Sequence, residues 1–223
     1  MNLAKSYEFF QPESLKGRIN IIGCGSVGST VAENLARYGI SNFNLYDFDS
    51  VEPHNIVNQM FTYEDVKKPK VEAVAEMICR INPEAAEDIK VFPSGYTGQR
   101  LSGYVFLCVD NIDLRREIAE ANKTNTNIKA MFDFRTRLVD AQHYAADWSD
   151  IKMIDAFIAS MQFSHEEAME ETPVSACNVT LSVAATVRLI CGLGVANFIN
   201  FVRGKGINKT VLLNTEPLDL DVY

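Results

Sequence analysis

Residues 18–70 constrain the fold more than any other stretch. An apolar run at 18–22 enters Gly23-Cys24-Gly25-Ser26-Val27-Gly28, and a second run at 42–46 ends in Asp47-Phe48-Asp49. Glycines let backbone approach a phosphate closely, and the helix that follows such a turn aims its N-terminus at the anion. Asp47 lies roughly 20 residues beyond the turn, where a carboxylate can hold a ribose hydroxyl. A G-x-G-x-x-G turn is a weak signal alone; between a strand and a helix it reads as a nucleotide-binding unit. Downstream, Asp49, Asn55, Gln59 and the run Lys67-Lys68-Pro69-Lys70 add groups that an ordinary dinucleotide site lacks. A second carboxylate, two amides and a lysine point to ATP and phosphate chemistry rather than hydride transfer.

The pattern along the chain predicts an α/β, Rossmann-like three-layer fold with a mainly parallel sheet extended by antiparallel strands. Strands are expected at 18–22, 42–46, 104–109 and 128–134, with a partly exposed antiparallel strand within 138–148. Helices are expected at 26–38, stopped by Gly39, at 69–81, ended by Asn82-Pro83, and at 112–122. Residues 164–171 read as an acidic loop, and 173–203 as a long apolar helix or broken helix pair. The opening residues 2–16 read as a short helix or arm, with Phe9 and Phe10 able to dock on a neighbour. With 223 residues the expectation is one unit, 1–223. It divides into an N-terminal arm (1–17), a nucleotide-binding half (18–135) and a substrate- and dimer-binding half (136–223).

A formal charge of −8 and a pI near 5.0 argue against a general nucleic-acid binder, which would carry a basic stripe. No uninterrupted apolar run reaches the ~20 residues of a membrane span, and the N-terminus lacks a signal-peptide core, so a cytoplasmic protein is expected. The five cysteines (Cys24, Cys79, Cys108, Cys177 and Cys191) are odd in number and form no CxxC pair. Neither a disulfide framework nor zinc is expected, and none of His54, His143 and His165 sits near a cysteine at metal-ligand spacing.

Each candidate side chain has its own logic. Asp49, two residues past Asp47, falls on the same side of an extended chain and could accept from an amide or position a magnesium water. Asn55 and Gln59, four apart, share one face of a helical turn as phosphate-contacting amides would. Lysine is disfavoured at a helix N-terminus, so Lys70 there fits a phosphate ligand, whose charge offsets the cost. Asp110, just after an apolar strand, sits at the carboxyl edge of the sheet and could hold Mg²⁺ or cap the next helix. Cys177 could be a thiolate nucleophile near a helix start, although a buried packing role is the stronger reading.

Taken jointly, Gly23–Gly28, Asp47-Phe48-Asp49-Ser50-Val51-Glu52, Asn55-Ile56-Val57-Asn58-Gln59, Pro69-Lys70-Val71-Glu72 and Val109-Asp110-Asn111 resemble the ThiF/MoeB/HesA superfamily. That group includes the adenylation domains of ubiquitin-activating enzymes. The resemblance implies ATP-Mg-dependent adenylation of the C-terminal carboxylate, usually Gly-Gly, of a small ubiquitin-like or sulfur-carrier protein or peptide. It also implies a homodimer, for which residues 173–203 are the candidate contact. By position, Asp47 would hold the ribose, with Asp49, Asn111 and the Gly25-Ser26-Val27 backbone around the nucleotide. Asn55, Gln59 and Lys70 would contact phosphates, and Asp110 would bind Mg²⁺. Separately, the acidic stretch 164–171 is a candidate crossover over the substrate tail, with a solvated loop the stronger reading; by the resemblance, Cys177 would stand where some relatives take up the acyl group.

Two departures bear on catalysis. The family pattern commonly has arginine where this chain has Asn58, and asparagine supplies no bidentate charge. Arg115, Arg116, Lys68 and Lys5 of a second copy are the candidates to replace it. Ser26 stands where glycine is frequent. The alternatives are therefore a nucleotide-binding scaffold without catalysis, or an NAD-dependent oxidoreductase using the same turn. No Tyr-x-x-x-Lys catalytic pair follows the nucleotide-binding half to support the latter.

Overall fold

The computed structural model describes residues 1–170 and 181–223. Eight strands form one sheet: β1 (Ile19–Ile22), β2 (Phe43–Tyr46), β3 (Lys90–Phe92), β4 (Gly103–Leu107), β5 (Ile128–Thr136), β6 (Asp140–Asp147), β7 (Thr210–Thr215) and β8 (Leu218–Val222). Their order is β3-β2-β1-β4-β5-β6-β7-β8, parallel from β3 to β5 and antiparallel from β5 to β8. The fold expected from the sequence is the one found.

Strand β1 is buried along its whole length, as a central parallel strand covered on both faces must be. On one face lie α1 (Ser26–Arg37), α2 (Lys70–Ile81) and α6 (Ala184–Val202); on the other lie α3 (Ile112–Ala121) and α4 (Ile151–Ala159). In α1, Val27, Val31 and Leu35 recur on one face and are buried against the sheet. The helix ends where Gly39 takes a φ of +84°, a conformation cheap for glycine and costly for other residues. Beneath α6, Phe106 and Phe132 stack at 4.9 Å, and Phe198 meets both edge-on at 5.3 and 5.5 Å. By length and composition α6 could cross a membrane, but Val187, Ile190, Cys191 and Phe198 are buried against α1 and the sheet.

Several expectations are corrected. Residues 164–171 are not simply a loop: α5 (His165–Glu170) forms there. Ser164 Oγ accepts from Glu167 N at 3.1 Å while Glu167 Oε2 accepts from Ser164 N at 2.7 Å, a reciprocal cap whose S-x-x-E signature is visible in the sequence. Helix α4 also carried a readable start, since Asp150 Oδ1 accepts from Lys152 N at 2.9 Å. The long apolar helix begins at Ala184, and residues 171–180 lie outside the described residues. Phe10 packs in its own chain's core, edge-on to Tyr38 at 5.7 Å, while Phe9 lies under the Arg203 guanidinium at 4.0 Å. Phe10 is therefore a core residue of its own chain and not a docking group, while Phe9 remains half exposed.

The sheet's change of direction encloses a buried histidine. His143 on β6 is fully buried beside Phe134, its Nδ1 3.0 Å from the Asp133 carbonyl and its Nε2 3.1 Å from Asn197 Nδ2. Gly194 admits the ring, since a Cβ there would come within 2.1 Å of Phe134 and 3.2 Å of His143. Burial, only partly opposed by the Asp133 carbonyl and charge, lowers the His143 pKa to about 4. The unfolded chain, with an ordinary value near 6.5, binds a proton first. Stability from His143 is therefore full above about pH 6.5 and is lost as pH falls toward about 4, by about 3 kcal/mol. Urea unfolding at a series of pH values should show this loss, and His143→Gln should flatten it; equal slopes for both proteins would disprove the assignment.

Candidate nucleotide-binding site

Strand order turns back on itself at β1, which has β2 on one side and β4 on the other. Ligands of open α/β sheets bind outside the carboxyl ends of the strands at such a point. Gly23 follows β1, Asp47 follows β2 and Asp110 follows β4, so topology alone brings them to one edge.

The glycine turn is held by contact rather than by flexibility. Gly23 has a φ of +94°, and a Cβ on it would lie 2.7 Å from the Cys108 and Val109 backbone. A Cβ on Gly28 would lie 1.8 Å from the Gly23 carbonyl oxygen, so helix α1 can pass this close only without a side chain there. Gly25 is different: nothing lies within 4 Å of where its Cβ would be, and it lines the cleft.

Asp47 joins the turn to the end of β2. Its Oδ2 accepts from Cys24 N at 2.6 Å and its Oδ1 from Asp49 N at 2.8 Å. Burial raises its pKa above the usual carboxylate range, against the opposing N–H groups of Asp49 and Cys24 and the charge of Lys70. Lone pairs remain on both oxygens for a further donor.

Residues 49–51 and 67–70 then close on each other. Val51 N donates to Lys68 O, Lys67 N to Val51 O, and Lys70 N to Asp49 O at 2.9 Å. This puts the buried Lys70, first residue of α2, beside Asp49, with Nζ 2.8 Å from Oδ2. Asp49 is thus an ion-pair partner of Lys70. The enclosed excursion contains the 3₁₀ turn Pro53–Val57, where Glu52 and Asn55 cap each other, Glu52 N donating to Asn55 Oδ1 at 2.9 Å. Gln59 N donates to Asn55 O, so the two amides do come from one turn.

These groups enclose a cleft of about 410 Å³. Gly23, Gly25, Ser26, Asp47, Asp49, Asn55, Gln59, Lys70 and Asp110 all line it, as do His54 and Asn58. Val27 is buried behind it in the core. Asn111 is placed elsewhere: its Oδ1 accepts from Leu114 N at 3.0 Å as the N-cap of α3, the role considered for Asp110, and it does not line the cleft. Cys177 lies outside the described residues. Cys24 and Cys108 are buried, and burial raises both thiols, so neither is a ready thiolate.

None of the three cationic side chains considered to stand in for an arginine at Asn58 lines this cleft. Arg115 is buried, with Nη1 2.6 Å from both Asp133 Oδ1 and the Phe134 carbonyl, and its guanidinium also holds the Val109 carbonyl. It clamps the turn that carries Asp110. Arg116 pairs with Asp113, and Lys68 with Asp65 and Glu76.

Two cleft atoms lack partners. Gln59 Oε1 and Ser182 Oγ are buried without a hydrogen bond among the described residues. With the open space above Gly25, they fit a polar ligand that approaches the backbone. Among the described residues no group of three or more His, Cys, Asp or Glu side chains is gathered to hold a metal.

Sheet, glycine turn and cleft together define a Rossmann-like α/β protein. The chain belongs to the ThiF family, whose model matches residues 3–222. It is 30% identical over 148 residues to ubiquitin-like modifier-activating enzyme 5 of Culex quinquefasciatus, a match covering 57% of this chain and 35% of that enzyme. The chain thus matches about a third of that curated relative's length. Escherichia coli MccB, solved with ATP, superposes with a TM-score of 0.69 at 18% identity, covering 95% of this chain and 65% of MccB. PaaA superposes with a TM-score of 0.67, also at 18% identity and with the same coverage.

The two glycines make opposite predictions. Gly28→Ala should destabilise the fold by about 1–3 kcal/mol, because its methyl meets backbone that must move. Gly25→Ala should leave the melting temperature unchanged while weakening nucleotide binding, since its methyl enters open cleft. Thermal melts and ATP titrations on both variants separate the effects; equal melting losses would refute this geometry.

Proposed function

We propose that the protein binds ATP in this cleft and adenylates the C-terminal carboxylate of a small ubiquitin-like or sulfur-carrier protein or a peptide. One observation carries the reading: Asp47, Lys70 and Asp110, from three separate segments, line one cleft with the glycine turn. Asp47 would hold the ribose. The Gly25 and Ser26 backbone would lie along the phosphates, with Asn55, Gln59 and Lys70 donating to them. A magnesium ion carried with the nucleotide would be held by Asp110 through one carboxylate, and would neutralise phosphate charge.

In the reaction a substrate carboxylate oxygen attacks the α-phosphorus of ATP. The bond from that phosphorus to the bridging oxygen breaks, and pyrophosphate leaves with the electron pair. An acyl-adenylate remains. The protein's part is to align the reactants and meet the charge that builds on the phosphate oxygens. A second cavity, of about 120 Å³, shares Asp110 with the cleft and is lined by Arg135, Gln142, Phe163 and Ala168. The substrate tail would arrive through it, and α5 would lie beside that tail. MccB is described as a microcin C7 biosynthetic enzyme and was solved with N-formylated MccA, which supports a peptide or small-protein substrate here.

The same reading treats 1–223 as one adenylation unit acting in the cytoplasm, with 18–135 binding nucleotide and 136–223 binding substrate and a second copy. Leu189, 46% exposed on α6, and the neighbouring Val183 would belong to the homodimer contact.

The test is ATP–pyrophosphate exchange by the full chain with candidate tails ending in Gly-Gly. Lys70→Ala and Asp110→Ala should each slow exchange by about 100-fold or more. Unchanged rates would remove those roles. ATP binding without exchange for any tail would favour the scaffold reading, and NAD bound in preference to ATP an oxidoreductase.

A further inference from the structure

The cleft has more negative than positive charge. Among the described residues that line it, Asp47, Asp49 and Asp110 are carboxylates, whereas Lys70 and His54 are the side chains able to be cationic. Lys70 is already paired with Asp49. A polyphosphate entering there faces Asp47 and Asp110, neither of which forms an ion pair among the described residues. Nearby guanidiniums are engaged elsewhere: Arg115 and Arg135 hold Asp133, and Arg116 holds Asp113.

His54 is placed to supply the missing charge. It stands in the Pro53–Val57 turn with Asn55, close in sequence to Asn58 and Gln59, and its side chain is 57% exposed. Its Nδ1 lies 3.2 Å from Glu52 Oε2. Glu52 is itself fixed by its reciprocal cap with Asn55. A carboxylate set behind one ring nitrogen orients the imidazole and leaves the other nitrogen for a ligand. The other charged groups lining the same cleft are Asp47 and Asp49 at the end of β2, Lys70 on α2 and Asp110 after β4.

We propose that His54, in its protonated form, is a phosphate-binding residue of this cleft, so that nucleotide binding takes up a proton. The inference rests on the ATP reading above. Because binding and protonation are linked, whatever the phosphates gain from the imidazolium returns as pH-dependent affinity.

Calorimetric titration of the full chain with ATP, between about pH 8 and about pH 6, tests this. His54→Gln is the comparison protein; it shares the nucleotide's own titration, so the difference between the two proteins isolates the ring. On going to the lower pH, wild type should gain about tenfold more in affinity than His54→Gln, the scale of one charge-assisted phosphate contact at a partly solvated site. Titrations in buffers of different ionisation enthalpy should show proton uptake that the variant lacks. Adding Asn58→Arg to His54→Gln should restore tight binding at the higher pH without the extra slope. Adenosine, which has no phosphate, should bind both proteins alike. ATP binding with parallel pH slopes in the two proteins overturns the role of His54 and leaves the ATP reading intact. No ATP binding by wild type at any pH overturns both.

Discussion

A single carboxylate joins the ends of the first two strands. Asp47 takes the Cys24 N–H with one oxygen and the Asp49 N–H with the other, fixing both the glycine turn and the start of the excursion to Lys70. Were it lost, the part-buried Cys24 N–H would need a new partner, a cost of about 1–3 kcal/mol, while the exposed Asp49 N–H could turn to water. The close pass of Gly28 over the Gly23 carbonyl completes the arrangement. The cleft exists because backbone fills the place where side chains would otherwise be.

A second group of charges supports the opposite wall. Asp133 is wholly buried on β5 between Arg115 and Arg135. Burial acts to raise its pKa, and the two guanidiniums outweigh that and lower it. Arg115 also grips the carbonyl of Val109, so the turn that presents Asp110 is anchored in the core although Asp110 itself is exposed. Breaking a buried pair of this kind generally costs more than forming it gained, about 3–5 kcal/mol, because a charge is left without its partner. The antiparallel extension begins on these same two strands: β6, which carries His143, pairs with β5 beside Asp133, and the ring's hydrogen bond to the Asp133 carbonyl links the two groups.

Much of this was legible in residue order. Apolar strands around a glycine turn, the Gly39 stop, Asn82-Pro83 and the 3.6-residue spacing of Val27, Val31 and Leu35 are local signals, and local structure followed them. The convergence of Asp47, Asn55, Gln59, Lys70 and Asp110 on one cleft also followed, because the order of strands in this architecture fixes which loops meet. Less was read where signals were short. Strand β3 has three residues, and β8 is exposed at every position, so neither carries a burial period. The caps at Asp150 and Ser164 were present in the sequence and mark real helices.

The sequence by itself determined the class of fold and the core of the cleft, Asp47, Lys70 and Asp110 around the glycine turn, since both depend on periodicity and on segments placed by topology. Tertiary structure decided which charges are available. Arg115, Arg116 and Lys68 look equivalent in a string of letters, yet each is paired with a carboxylate outside the cleft, while His54 is at its wall. Electrostatic pairing falls off over a few ångströms and changes with burial, so it belongs to coordinates in space and not to positions along a chain.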